Sequence, residues 1–100
     1  MIVDRTVLYT KWGRIDELKE IFKTMLEAPQ PAGVMGGRIL TDLSGRFFRL
    51  IVETEFEDMA AWENWRATEF SKPEFAEMFA KTADLVESGS QEFYTLEVKV

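Results

Sequence analysis

The ten residues FFRLIVETEF, Phe47 to Phe56, decide the fold. They alternate with a period of two. Phe48, Leu50, Val52 and Phe56 fall on one side of an extended chain, and Phe47, Arg49, Ile51, Glu53 and Glu55 on the other. The pattern predicts a strand with one core face and one face that mixes apolar and charged groups. Just upstream, Val34 to Leu43 is a second apolar run, broken by Gly36 and Gly37, which predict a bulge or a close backbone approach. Asp42, Ser44 and Gly45 supply turn chemistry between the two runs, so the pair reads as a β-hairpin.

Working outward, Ile2 to Lys11 is rich in Val, Thr, Leu and Tyr and predicts a first strand. Gly13 ends it. Ile15, Leu18, Ile21, Phe22, Met25 and Leu26 then recur at helical spacing, and Pro29 and Pro31 stop the helix. Downstream of the hairpin, Asp58 is a good N-cap for a helix carrying Met59, Trp62 and Trp65. The pattern breaks near Phe70. Ser71-Lys72-Pro73-Glu74 has the form of a capping box for a second helical piece with Phe75, Met78, Phe79, Leu85 and Val86, and Gly89 is placed as its C-cap. A last strand is expected from about Gln91, with Tyr94, Leu96, Val98 and Val100 on one side.

The order β-α-β-β-α-β predicts one α+β domain over residues 1–100, of the ferredoxin-like type. Right-handed crossovers place the helices on one face of a four-stranded antiparallel sheet. The other face, with Phe47, Arg49, Ile51 and Glu53, is too apolar to leave in water. A homodimer built through that face and the last strand is the expected solution.

Composition narrows the function. Twelve basic residues face eighteen acidic ones, a net charge of −6, with no basic run. That argues against nucleic acid or an anionic membrane as partner. No stretch is apolar enough to span a bilayer, and Asp4 and Arg5 interrupt any leader-like pattern, so a cytoplasmic protein is expected. Cysteine and histidine are both absent. Disulfides, thiolate nucleophiles, and the usual zinc and haem ligands go with them, and no cofactor or metal is predicted. Apolar residues make up 46% of the chain, including eight Phe and three Trp. That is ample for one small core and leaves apolar surface for a partner.

The run Thr54-Glu55-Phe56-Glu57-Asp58, followed by Ala61-Trp62-Glu63-Asn64-Trp65, resembles the dimeric α+β barrel superfamily, and within it the antibiotic biosynthesis monooxygenase-like group. The segment order extends the likeness over nearly the whole chain. The resemblance implies a small-molecule-binding dimer, and a cofactor-independent monooxygenase acting on an aromatic substrate. The alternative is a non-catalytic ligand-binding or structural dimer. The haem-degrading branch of the group uses a histidine whose place falls near Phe79 here, and Phe56 stands where a pocket tryptophan is expected. Haem chemistry by that route is therefore not predicted.

The candidate ligand-binding residues divide into two sets. Trp62 and Trp65, three apart on one helix, are either core residues or one wall of a cavity that stacks on a flat ligand. Arg38, Arg49, Glu53 and Glu97 could share the uncovered sheet face. They would be ion pairs inside a dimer or, with arginine as donor, a phenolate or anion site. Phe79, Tyr94 and Tyr9 are further pocket candidates. Cofactor-free oxygenation needs orientation, exclusion of water and a donor for a developing oxyanion, roles that Arg and Trp can fill. No catalytic residue is singled out.

Overall fold

The computed structural model describes residues 1–100. The elements are β1 (Ile2–Thr10), α1 (Ile15–Glu27), β2 (Val34–Thr41), β3 (Arg49–Phe56), α2 (Met59–Phe70), α3 (Pro73–Leu85) and β4 (Val86–Thr95). The strands form one antiparallel sheet in the order β2-β3-β1-β4, with the helices on one face. This is the ferredoxin-like arrangement that the segment order predicts, including the split second helix.

The core lies between helices and sheet. Leu18 of α1, Leu50 and Val52 of β3 and Leu85 of α3 are buried together, with Leu8, Ile15, Ile21, Phe22, Leu26, Ile39 and Val86 packed around them. The apolar stripe of α1 reaches this layer because its members recur every three to four residues. Gly37 permits close approach of α1 to β2: a Cβ there would stand 2.9 Å from Leu26 Cδ2 and 3.2 Å from the Glu53 carbonyl oxygen. The ladder also shifts between Val34 and Gly36, so both expectations for the paired glycines hold. Asp58 caps α2 as predicted, its Oδ1 accepting the Ala61 N–H at 2.8 Å, an arrangement worth about 1 kcal/mol.

Four local expectations fail. First, β3 starts at Arg49. Phe48 lies in the preceding turn with φ 56°, held there by Thr10, whose N–H and hydroxyl both donate to the Phe48 carbonyl, at 2.9 and 3.1 Å. Phe47 therefore leaves the sheet and packs against the exposed Trp12 ring instead.

Second, the capping box does not form. Ser71 is still in helical conformation, closing α2, and its hydroxyl donates to the Thr68 carbonyl at 2.7 Å; Lys72 takes the N-cap position of α3 without a side-chain bond.

Third, Gly89 is no C-cap. Helix α3 ends at Leu85 and passes directly into β4, where Gly89 pairs with Leu8. Thr10 pairs with Val86 and Tyr9 with Ser88, which leaves Glu87 as one extra, bulged residue.

Fourth, pairing with β1 ends at Thr95, and Leu96–Val100 lie outside the strand. Leu96 N–H still donates to the Met1 carbonyl at 3.0 Å. Beyond it Lys99 reaches back to Glu55 at 2.9 Å, so the tail borders the open sheet face. Of the four residues expected on one side of this strand, only Tyr94 is in the sheet.

Candidate functional site

The pleat assigns each strand residue to a face. Ile2, Asp4, Thr6, Leu8 and Thr10 of β1 point toward the helices, together with their register partners on β3 and β4. Asp4 is thus a carboxylate on the core face of a central strand, and it is only 7% exposed. Its register partners are Thr54 on β3 and Phe93 on β4.

Three neutral donors converge on it. The Trp62 indole Nε1–H donates to Oδ2 at 3.2 Å, the Gln91 amide to the same oxygen at 2.9 Å, and the Thr6 hydroxyl to Oδ1 at 3.1 Å. Burial lifts the Asp4 pKa above its ordinary value, and the bonds from Gln91, Thr6 and Trp62 oppose that rise without cancelling it.

Around this carboxylate the walls are aromatic on one side and open on the other. The Trp62 ring meets Phe93 edge-on, centroids 4.9 Å apart. The Arg66 guanidinium stands 5.6 Å from the Trp62 ring and 5.3 Å from that of Phe70. Beyond Trp62, β4 is poorly covered: Gln91 and Phe93 face the helix side yet remain exposed. A carboxylate floor, an indole wall and the exposed Gln91 and Phe93 meet where α2 stands off from β4, and that gap is the crevice between them; the two larger hollows of the structure lie elsewhere. Trp65 lies elsewhere on α2, against Phe56 at 5.7 Å, and is a packing residue.

The arginines of the sequence reading are on the opposite side of the sheet. Arg38 and Glu53 are register partners on β2 and β3, joined by Arg38 Nε to Glu53 Oε1 at 2.5 Å. Arg5 of β1 adds a longer contact to Glu53 at 3.9 Å. Tyr94 lies on the same face and donates its hydroxyl to Glu92, which raises the tyrosine pKa. With Val3, Leu96, Val98 and Val100, these residues border a hollow of about 730 Å³. Arg49 shares the face at its other end, with its Nε buried and unpartnered and its backbone N–H donating to Asp42 at 2.8 Å. Near it Arg46 stacks 3.7 Å over the Tyr9 ring.

The sheet therefore separates Trp62 from Arg38, Arg49, Glu53 and Tyr94, and one ligand cannot touch both sets. Glu97 lies past the end of β4 and is not part of the sheet face. Phe79 is 61% exposed on α3, in a row with Phe75 and Phe70. Phe75 also lines a cleft of about 930 Å³ between α1 and α3, with Ile21, Met25 and Met78. No group of three or more carboxylates is placed to hold a metal ion. No helix is long and apolar enough to cross a membrane.

Sequence reasoning missed Asp4, Gln91 and Arg66. Only Asp4 left a trace: an acid in phase with Ile2, Thr6 and Leu8 on an otherwise apolar strand. Its donors Trp62 and Gln91 lie 58 and 87 residues away and carry no local signal.

No protein-family model matches the sequence, and no curated protein matches it. Solved structures do. An uncharacterised NIPSNAP domain protein from Burkholderia xenovorans superposes with TM-score 0.78 at 14% identity, over 97% of this chain and 95% of that one. A candidate antibiotic biosynthesis monooxygenase from Deinococcus radiodurans gives 0.77 at 15%, over 100% and 96%. SnoaB, a cofactor-independent oxygenase from Streptomyces nogalater, gives 0.74 at 14%, over 99% and 95%. The chain has the fold of these α+β proteins, as the resemblance implied. Identity this low carries the fold and leaves the activity to be argued from the site.

Proposed function

We propose that this chain binds a flat aromatic molecule in the crevice between α2 and β4 and oxidises it with molecular oxygen, without a cofactor. The observation that carries the reading is the Trp62 indole, fixed by Asp4 on its N–H and by a T-shaped contact with Phe93, beside an exposed rim. A ring pinned on two sides presents a stacking surface at little further entropic cost. The fold shared with a cofactor-independent oxygenase supports the chemistry.

In such a reaction a hydroxyarene and O2 give a quinone and water. One oxygen atom replaces the ring hydrogen as a carbonyl, and the other leaves with that hydrogen and the hydroxyl hydrogen. The protein orients the ring, excludes water and stabilises the oxyanion. Arg66, packed against Trp62, replaces Arg38 and Arg49 as the guanidinium nearest the ligand.

The working unit in this reading is a homodimer through the open sheet face. That face carries Leu40 and Tyr94 in the open, and Arg5, Arg38 and Glu53 in a network that a second copy would dry and strengthen. Phe47 is not part of this surface.

An oxygen electrode with a panel of hydroxynaphthalenes and hydroxyanthracenes tests turnover, and quenching of tryptophan fluorescence tests binding. Trp62→Phe is expected to weaken binding about tenfold if the indole is the wall, and Trp65→Phe to leave it unchanged. Quenching without oxygen uptake across the panel leaves a binding protein and removes the oxygenase. Sedimentation equilibrium showing only an 11.6 kDa monomer at micromolar concentration removes the dimer.

A further inference from the structure

We infer that Asp4 is the proton acceptor for the ligand in this crevice, and that Gln91 occupies the place the ligand hydroxyl takes. The inference rests on the crevice being the ligand site. Its first support is the absence of a counter-ion. Buried carboxylates are normally matched by Lys or Arg, because an unpaired charge in low dielectric is costly. Here all three partners are neutral donors. The groups facing the carboxyl are Thr6 from β1, Thr54 from β3, Gln91 and Phe93 from β4, and Trp62 from α2; Arg66, on the Trp62 ring, is the charged group packed on that wall. A lysine in contact would hold the acid ionised and weaken it as a base. Neutral donors position it and do so less, leaving the rise caused by burial in place.

The second support is the inequality of the three donors. Thr6 is fixed in a central strand, and Trp62 is held by the Phe93 contact. Gln91 is a long side chain on the exposed edge strand, and of the three it alone can swing away into water. A ligand O–H arriving from the rim replaces its amide on Oδ2 bond for bond. In the transfer the ligand O–H bond breaks, the electron pair stays on the ligand oxygen, and a new O–H bond forms on Asp4. The site holds one negative charge before and after, so no second charge has to be buried. The charge moves onto a ring that delocalises it, beside Arg66. The same geometry disfavours ligands that arrive already anionic, such as aryl carboxylates. The lifted pKa of Asp4 agrees with a base intended to hold a proton in the folded state.

The experiment compares 4-nitrophenol with 4-nitroanisole, which has the same outline and no proton to give. Each quenches tryptophan, so affinity is read by fluorescence between about pH 4 and pH 8. For the wild type, 4-nitrophenol affinity is expected to rise as Asp4 ionises and to fall again as the free phenol ionises. 4-Nitroanisole should show no rising limb. Asp4→Asn should lose that limb and bind the phenol about tenfold more weakly at the optimum, whereas Gln91→Ala should bind it several-fold more tightly, because an acceptor has been freed. A carboxylate that only ties α2 to β4 predicts otherwise: Gln91→Ala destabilises the fold and gains no affinity. Identical pH profiles for the two compounds, or a rising limb that survives in Asp4→Asn, would overturn the proton-acceptor assignment while the site stands. Failure of both compounds to bind would overturn the site and this inference together.

Discussion

The two faces of the sheet hold acids in opposite ways. On the helix side Asp4 is buried, meets only neutral donors, and has its pKa lifted. On the open side Glu53 faces Arg38 and Arg5, and Glu55 faces Lys99, with the cations themselves well exposed. Asp4 and Arg5 are neighbours on β1, and Glu53 and Glu55 flank Thr54 on the adjacent β3, so two paired strands present both arrangements back to back. Burial on one side makes hydrogen bonding the only affordable partner that keeps the acid titratable; exposure on the other lets ion pairs form at little cost and little gain. The first is a setting for proton chemistry and the second for recognition of a surface. On the proposed reading, proton chemistry and contact with a second copy are divided across a single layer of backbone.

The largest expected effect tests whether the helix face is the core. Leu50→Ala should cost about 2–5 kcal/mol by urea denaturation, since Leu50 is fully buried among Leu18, Val52 and Leu85. A loss below about 1 kcal/mol would mean that the helix layer closes over the cavity or never packed tightly there. Next is Trp62→Phe, which keeps a ring but removes the bond to a charged acceptor. About 1.5–3 kcal/mol is expected from the same measurement, and an unchanged midpoint would show that the indole does not anchor Asp4.

The third effect is a pH trend. With the folded-state pKa of Asp4 raised, the folded chain keeps a proton that the unfolded chain has released. The stability Asp4 contributes is then full below the ordinary carboxylate range and is lost as pH rises through the raised pKa. Thermal midpoints of the wild type should therefore fall relative to those of Asp4→Asn as pH climbs through that window, and parallel curves would sink the account. The smallest effect belongs to the open face. Arg38→Ala should change the stability of the isolated chain by no more than about 1 kcal/mol, because that arginine is exposed. A larger loss that also depends on protein concentration would show instead that the face is buried in a dimer.

The sequence made the element order legible because periodicity is strong wherever a face is buried. Phe47 to Phe56 and the α1 stripe are both of this kind, and both led to correct elements apart from a two-residue error at Phe47. Errors gathered where local chemistry lost to tertiary pairing. Ser71-x-x-Glu74 is a sound capping box in isolation, but Ser71 is taken up as the C-cap of α2 and Lys72 holds the N-cap place of α3. Gly89 looks like a helix stop, yet β1 recruits it into a ladder. At the candidate site, Trp62 was legible as an aromatic on an amphipathic helix. Arg38 and Arg49 were legible on the uncovered face, and the sheet indeed stands between them and Trp62. Asp4 and Gln91 meet only through the β1–β4 register, a contact between the two ends of the chain.

Glu87 is a bulged residue at the start of β4. Were Glu87 an ordinary ladder residue, strict alternation from Val86 would turn Gly89, Gln91 and Phe93 to the other side. With the bulge, Val86 faces the core and Gln91 faces Asp4, although they are an odd number of residues apart. The bulge is a spacer whose removal leaves Val86 opposite Thr10 and Ser88 opposite Tyr9, in a regular ladder with both faces preserved. An insertion a few positions further along β4 has no such outlet and would invert everything beyond it. Length variation is therefore tolerated at this one joint and forbidden beside it, and a lineage carrying this fold could gain or lose a residue there with the crevice still intact.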